Sequence, residues 1–396
     1  MHHPLTIFWP VSPAPEIDEI QFSFAFCRNM TRRFCKMAYP DALWLDYDGF
    51  ETIETLFPKA DGHVLILVRE PETVLSPHAI RILCDLGQAG HDICGPVFNQ
   101  SAFPQQVASL PAVYVNMDSF LEVSELMAEE KSGEYFQLST GLDPACISFR
   151  LDFLRELEPS ELISTIKTPN TFASPIVAPG ALVHSGFLNA FSSQRDDLVR
   201  LVPDSGIHDI LDVGCAMGGY GKTLKGIFPE VHLTGVELNR VMAKKAAPHY
   251  DEMLNIPLEQ ANFSGRFDLI NCGDILEHLT NPWGMLKRLR RLLRDRGRLV
   301  LSIPNAGHWS VARALLKGQF QYIPLGLLCI GHLRWFTESS IRESLEEAGF
   351  EIEIFEKQQI PPTPEGEKFI RDMCTSGYGE EPSLRANEFL LRAIRK

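Results

Sequence analysis

The chain has 396 residues, 45% hydrophobic and 22% charged, with a formal net charge of −14. That is ordinary globular composition, which excludes a disordered or fibrous chain, and no window approaches the ~18 apolar residues that a bilayer span needs. The length suits two domains of about 150 residues or somewhat more each. Nine cysteines without a C-x-x-C pair make neither a disulfide framework nor a zinc knuckle, so a cytoplasmic, reducing location is read. The N-terminus lacks a cationic stretch followed by an apolar run, so no secretory signal is read there. Residues 1–165 hold 10 Lys and Arg against 24 Asp and Glu, whereas residues 166–396 hold 27 of each. All the acidic excess lies in the first part, which argues against a nucleic-acid partner and for two separate halves.

In chain order, residues 62–155 contain GHVLILVREPETVLSPHAIRILCDLG, HDICGPVFNQSAFPQQV and DPACISFRLDFLREL. This succession resembles the middle of family-2 glycosyltransferases: a strand ending in an acid pair, a helix, a G-P-V-x-N segment and a later strand feeding a helix. Where those enzymes carry adjacent acids, this chain has Val68, Arg69, Glu70, Pro71, Glu72 and Thr73. Asp46 and Asp48 in LDYDG are a weak substitute. Residues 1–165 therefore read as a shortened, inactive glycosyltransferase-like α/β domain, serving as scaffold, homodimer surface or acceptor-binding module. Residues 166–188, rich in Thr, Ser, Pro and Gly, read as a linker.

From 189 to 396 strand-like and helix-like segments alternate. HDILDV (208–213) precedes a glycine cluster and the helix-like GYGKTLKGIF, and VHLTGV (231–236) precedes a helix from about Asn239. RFDLINC (266–272) leads to a helix with Asn281 as N-cap and Pro282 at its first position, bearing Leu286, Leu289 and Leu293 on one face. GRLVLSI (297–303), a helix from Thr337 to Gly349, and the strand-like EIEIFEK and EFLLRAIR complete the pattern. Such alternation predicts an α/β fold, a doubly wound and mostly parallel sheet, preceded by a smaller α/β domain.

The segment Ile210–Gly219, ILDVGCAMGG, ends a strand in a glycine turn that opens a helix, a geometry that aims free N–H groups at a ligand. Asp212 lies just inside the turn, and Glu237 ends the next strand, placed to accept both hydroxyls of a ribose. A carboxylate at 212 suits a ligand carrying an ammonium and a sulfonium better than a pyrophosphate. A structural glycine turn with an incidental acid is the plainer alternative. The segment resembles the first motif, D-x-G-x-G-x-G, of class I S-adenosylmethionine-dependent methyltransferases, with Ala216 in place of the middle glycine. That alanine requires a negative φ. The resemblance covers roughly 185–396. It implies S-adenosyl-L-methionine as cofactor, a seven-stranded sheet with a closing antiparallel pair, and cofactor contacts from Asp212, Gly214, Gly218 and Glu237.

After the fourth strand, Cys272–Leu279 reads CGDILEHL, and Asp274, Glu277 and His278 are expected at the cleft, with Asp274 a further cofactor contact. The D-x-x-E-H spacing is similar to that of ubiquinone-biosynthesis and small-RNA 2′-O-methyltransferases, where related residues hold a divalent metal. Asp274, Glu277 and His278 are thus candidate metal ligands, His278 alternatively a general base, and a plain structural turn the third reading. The long connection 302–337 carries His308, Trp309, Phe320, Tyr322, His332, Arg334, Trp335 and Phe336, suiting an aromatic lid over an acceptor or an extra helical hairpin. It resembles polysaccharide-associated methyltransferases, with S-I-P-N-x-x-H and an H-L-R-W-F-T box, although Cys329 or Ile330 stands where an acid is common. His278, His308 and His332 are the candidate catalytic residues.

The functional expectation is methyl transfer to an oxygen of a sugar-like or small-molecule acceptor, in polysaccharide or secondary metabolism. Three alternatives remain. They are an N-methyltransferase of a specialised metabolite, a dinucleotide-dependent oxidoreductase that leaves Asp212 unexplained, and a non-catalytic assembly protein.

Overall fold

A computed structural model describes residues 3–11, 18–48, 55–138, 141–158, 161, 164–165, 175–263 and 265–396. They form two compact units, Met1–Phe187 and Leu188–Lys396.

The first unit is built on strands β1 (Leu5–Pro10), β2 (Leu43–Tyr47), β3 (Val64–Val68), β4 (Val74–Leu75), β5 (Ile93–Phe98), β6 (Phe136–Gln137), β7 (Cys146–Arg150) and β8 (Ile176–His184). Their order is β2-β1-β3-β7-β5-β8-β4, with β6 paired to β8. Helices α1 (Asp18–Ala38), α2 (Pro77–Gln88), α3 (Met117–Glu130) and α4 (Leu151–Arg155) pack with them. Wholly apolar β3, VLILV, is buried throughout, as a central strand covered on both faces must be. Helix α2 starts where Ser76 Oγ accepts from Ala79 N at 3.0 Å and Pro77 takes the first position.

One expectation is corrected here. Residues 176–184, read as linker, are strand β8; residues 166–174 lie outside the described residues. Pro179 and Gly180 look like turn signals, yet they sit where the β5–β8 register jumps, from Gly95↔Val177 to Val97↔Leu182. A bulge accommodates a proline that a regular ladder would reject. Among the described residues the first sheet has eight strands against seven in the second, and β8 belongs to it.

The second unit carries β9 (Asp209–Val213), β10 (His232–Val236), β11 (Glu252–Leu254), β12 (Phe267–Gly273), β13 (Leu293–Pro304), β14 (Phe350–Gln359) and β15 (Ala386–Arg395). The order is β11-β10-β9-β12-β13-β15-β14. The first five strands are parallel, and β15 runs antiparallel to both its neighbours. Helices α5 (Asp196–Val199), α6 (Gly219–Ile227), α7 (Arg240–Ala246), α8 (Pro282–Leu292), α9 (Trp309–Leu316), α10 (Glu338–Glu347), α11 (Pro364–Thr375) and α12 (Glu381–Arg385) complete it. Successive strand residues divide between two apolar cores: Leu211, Ile270 and Leu301 join one, while Ile210, Leu269 and Val300 join the other. That division is the period-two alternation of a sheet covered on both faces.

Asn281 Oδ1 accepts from Gly284 N at 2.9 Å and Pro282 opens α8, as read, although Leu293 already belongs to β13. The connection 302–337 holds one helix, α9, instead of a hairpin. Helices α11 and α12, between the closing strands, were not foreseen. Among the described residues, no helix is long and apolar enough to cross a membrane.

Candidate active site

The chain leaves β9 to build β10 and β11 on one side, then returns to place β12 on the other. The carboxyl ends of β9 and β12 thus flank the crevice that such a reversal opens, and Asp212 lies opposite Asn271 there. Asp212 is buried. It accepts from Tyr250 OH at 2.5 Å and from Asn271 Nδ2 at 2.7 Å, two neutral donors. Burial first, then the nearby Glu237 charge, outweighs these hydrogen bonds and pushes its pKa up to about 6. Asn271 Oδ1 is buried and has no hydrogen-bond partner. A charged-form carboxylate beside an orphan carbonyl oxygen is a pair of acceptors fit for an ammonium donor.

Above them runs the glycine turn. Gly214, Ala216 and Gly218 all have positive φ, at 68°, 46° and 84°. Gly214 N and Cys215 N both donate to Val236 O, Met217 N to Phe191 O and Gly218 N to Cys215 O, so the N–H groups of the turn are engaged within the fold. The negative φ expected of Ala216 is therefore wrong: the turn demands left-handed backbone there, and Ala216 N donates to Glu237 Oε2 at 2.9 Å. We predict that Ala216→Gly stabilises the protein by about 0.5–1 kcal/mol in urea unfolding, because the penalty on a left-handed alanine exceeds glycine's extra chain entropy. Glu237 Oε1 accepts from Asn239 N at 2.7 Å, so the acid is oriented by backbone donors on both oxygens. A Cβ on Gly214 would collide with Ile275 Cδ1, so the turn after β12 closes directly onto the glycine turn.

Asp274 departs from expectation. It stands at φ 53°, accepts from Ser302 Oγ at 2.8 Å and pairs with the Arg195 guanidinium. Arg195 also engages Asp197 at 3.0 Å and Glu388 at 2.9 Å. Burial opposes ionisation of Asp274, but Arg195 and hydrogen bonds from Glu388 and Ser302 hold its pKa below the ordinary range. Burial, then the Asp274 charge, pushes the Glu388 pKa well above its ordinary value. Asp274 is thereby spent on a polar clasp joining the start of the unit to β12 and β15.

The three acceptor groups that do converge are Glu277, His278 and His332, whose ligand atoms all lie within 4.8 Å of one another. His332 thus takes the place expected for Asp274. His332 Nδ1 donates to Leu327 O at 3.3 Å, which leaves its Nε2 with a lone pair, and His278 Nδ1 donates to Gly331 O at 3.0 Å. Glu277 is buried, both its oxygens lack a hydrogen-bond partner, and His332 Nε2 stands 3.9 Å from Oε1. Burial, then Asp274, raises the Glu277 pKa well above the carboxylate range, while burial, then His278, lowers His332 to about 4. Leu333 N and Arg334 N both donate to Glu277 O, at 2.8 and 3.0 Å, fixing the H-L-R-W-F box onto this turn.

His308 lies outside that group. It is buried, and its Nδ1 caps α9 by accepting from Ser310 N at 3.3 Å; burial lowers its pKa to about 3. That is a capping histidine, too acidic for a general base. Sequence reading missed Arg195, Tyr250, Asn271 and Glu388. They lie in segments without a motif, and only the sheet order brings them to the acids they contact.

Glycine turn, ribose-directed acid and crevice together define a class I S-adenosylmethionine-dependent methyltransferase domain in the second half of the chain. Residues 183–353 match the family model described as a methyltransferase domain. Over 133 residues the chain is 30% identical to trans-aconitate 2-methyltransferase of Deinococcus radiodurans, covering 33% of this chain and 50% of that protein. It is 32% identical over 114 residues to malonyl-(acyl-carrier protein) O-methyltransferase of Hahella chejuensis, covering 27% of this chain and 40% of the relative. It is 27% identical over 141 residues to a ubiquinone biosynthesis O-methyltransferase of Xanthomonas oryzae pv. oryzae, 34% of this chain and 58% of the relative. The chain spans about half the length of the curated relatives it matches. Among solved structures it is similar to the N-methyltransferase NodS from Bradyrhizobium japonicum WM9, at 17% identity and TM-score 0.35, covering 50% of this chain and 84% of that one.

Proposed function

We propose that this protein transfers the methyl group of S-adenosylmethionine to an oxygen of a sugar-like or other small acceptor. The observation that carries the reading is the buried Asp212, which has only neutral hydrogen-bond donors and lies below a left-handed turn oriented by Glu237. When bound, the cofactor supplies an electrophilic methyl on a sulfonium. Glu237 holds the ribose hydroxyls, Asp212 with Asn271 Oδ1 takes the ammonium, and Gly214 and Gly218 let the backbone come close. Positioning nucleophile and methyl in line contributes on the order of 7–11 kcal/mol in such reactions.

On the acceptor side, Glu277, His278 and His332 receive the hydroxyl. Two imidazoles and a buried carboxylate with orphan oxygens fit a divalent cation, which would supply Lewis acidity to that hydroxyl. Where no cation is held, His278, more exposed than His332, is the histidine suited to take the proton. In the first unit, β3, α2, β5 with its G-P-V and β7 feeding α4 keep the succession of the glycosyltransferase-like reading. Its spare acids are engaged elsewhere: Glu72 accepts from Ser23 Oγ at 3.0 Å and Asp46 from Arg28 Nε at 3.2 Å. That supports a role as scaffold or dimer surface.

The test is calorimetric titration with S-adenosylhomocysteine and, separately, NADH. S-adenosylhomocysteine binds the wild type, and Glu237→Ala weakens it at least tenfold. Binding of NADH in preference, or equal affinity in the variant, overturns the cofactor reading. Transfer of labelled methyl to candidate sugars, phenols and carboxylates then identifies the acceptor.

A further inference from the structure

Tyr220 stands in the first turn of α6, directly after the glycine turn, and is buried. Its ring belongs to the apolar core that also holds Leu198, Cys215, Leu224 and Tyr250. A phenylalanine would fill the same space, yet the chain carries a hydroxyl there, and that hydroxyl is buried without a hydrogen-bond partner. A buried hydroxyl left unsatisfied is destabilising, so its presence calls for a use.

The surroundings narrow that use. Tyr250 donates to Asp212 Oδ2, and a Cβ on Gly221 would lie 2.5 Å from the Tyr250 hydroxyl oxygen, so the first turn of α6 abuts the Tyr250–Asp212 pair. Ile210 and Leu269 point into the same core as Tyr220. Asp212 and Asn271, opposite each other and two residues further along the same strands, project to that same side. Next to burial, the Asp212 charge is the strongest influence raising the Tyr220 pKa above its ordinary value. The other nearby charges, Arg195 and Asp197, are already paired with each other at 3.0 Å. The Asp212 carboxylate, the orphan Asn271 Oδ1 and the orphan Tyr220 hydroxyl thus gather on one side of the sheet, beside one turn.

An ammonium brings three N–H donors. The cofactor reading given above supplies two acceptors, Asp212 and Asn271 Oδ1, and leaves one N–H without a partner. We infer that the Tyr220 hydroxyl oxygen is the third acceptor, which makes Tyr220 a cofactor-binding residue for the amino-acid end of S-adenosylmethionine. This rests on the proposed cofactor reading and deepens it. Two acceptors leave the ammonium free to pivot about the line joining them. A third removes that freedom and so fixes the short chain that carries the sulfonium, the orientation that in-line transfer requires.

The experiment is calorimetric titration of the full chain, wild type and Tyr220→Phe, with three probes. S-adenosylhomocysteine carries ammonium and carboxylate, S-adenosyl-3-thiopropylamine keeps the ammonium alone, and 5′-methylthioadenosine lacks both. We expect the variant to lose about tenfold or more in affinity for the first two, the worth of a hydrogen bond to a charged group, and to bind 5′-methylthioadenosine as the wild type does. Its ligand-free thermal midpoint stays level or rises, because the hydroxyl it lacks was unpaired. Unchanged affinity for all three probes overturns the inference, and so does an equal loss for all three, which marks a distorted pocket. Loss confined to S-adenosylhomocysteine gives the hydroxyl to the carboxylate and overturns it too, as does a lower ligand-free midpoint, which means that the hydroxyl is paired within the fold. A wild type that binds none of the three refutes the cofactor reading itself, whereas the other adverse outcomes refute Tyr220 alone.

Discussion

Replacing Asp212 by asparagine abolishes binding of S-adenosylhomocysteine while leaving the ligand-free protein at least as stable as the wild type. The two halves of this outcome share a cause. With its pKa pushed from 3.8 to about 6 by burial, the ionised Asp212 costs about 3 kcal/mol at neutral pH relative to an unperturbed carboxyl. Asparagine keeps the shape and keeps an oxygen for Asn271 Nδ2. It discards the buried charge, so the ligand-free thermal midpoint stays level or rises. The same change removes the counter-charge for the ligand's ammonium, and truncating one member of a buried charge pair costs roughly 2–5 kcal/mol, a loss of about 30-fold to a few thousandfold. A pH series separates the charge from the shape. Because the ligand's ammonium needs Asp212 ionised, wild-type affinity is level above pH 7 and falls about tenfold per pH unit once pH drops below about 6. For the ligand-free protein the sign is opposite: a raised acid pKa means the folded state holds the proton longer, so this group's penalty appears as pH rises from 3.8 through 6. Calorimetry on the asparagine variant at pH 7.5 that returns wild-type affinity would refute the role of Asp212.

How much of this was legible in the sequence follows from how local each feature is. The strands of the second half announce themselves because both faces of the sheet are covered, giving short apolar runs, and the caps at Asn239 and Asn281 with Pro282 are one-turn signals. Asp212 and Glu237 could be read because the glycine turn fixes their spacing. What failed depends on three-dimensional context. Strand β8 contains Pro179 and Gly180, which read as turn residues until the bulge against β5 gives them a place. Ala216 misled because propensity argues against a left-handed alanine, yet the Glu237 carboxylate and the alternating turn override it. The exchange of Asp274 for His332 in the acceptor group is likewise invisible locally. Arg195, 79 residues away from Asp274, claims that acid, while the box at 331–336 folds back and delivers the histidine.

The acceptor group makes the second strong prediction. Glu277→Met raises the stability of the metal-free protein by about 1–3 kcal/mol and reduces methyl transfer at least 100-fold. Both Glu277 oxygens are buried without hydrogen-bond partners, and a buried polar group left unsatisfied costs on the order of 1–3 kcal/mol that a thioether of similar length does not. Its pKa is raised well above the carboxylate range, chiefly by burial. The penalty is therefore absent below the unfolded-state value and grows as pH rises beyond it, so the stability gap between variant and wild type widens from pH 5 to pH 8. A protein retains such a group when the site uses it, and removing it exchanges function for stability. Manganese or zinc, added after chelation, separates the uses to which the carboxyl is put. If Glu277 holds a cation with His278 and His332, the metal raises the wild-type midpoint and leaves the Met variant unmoved, since a donor set that loses its only carboxylate loses most of its affinity. If instead the carboxyl acts directly on the acceptor, both proteins ignore the metal and the activity loss stands. A Met variant that is less stable than wild type and fully active would remove Glu277 from the acceptor site, because neither the orphaned oxygens nor the chemistry assigned to them would then be at work.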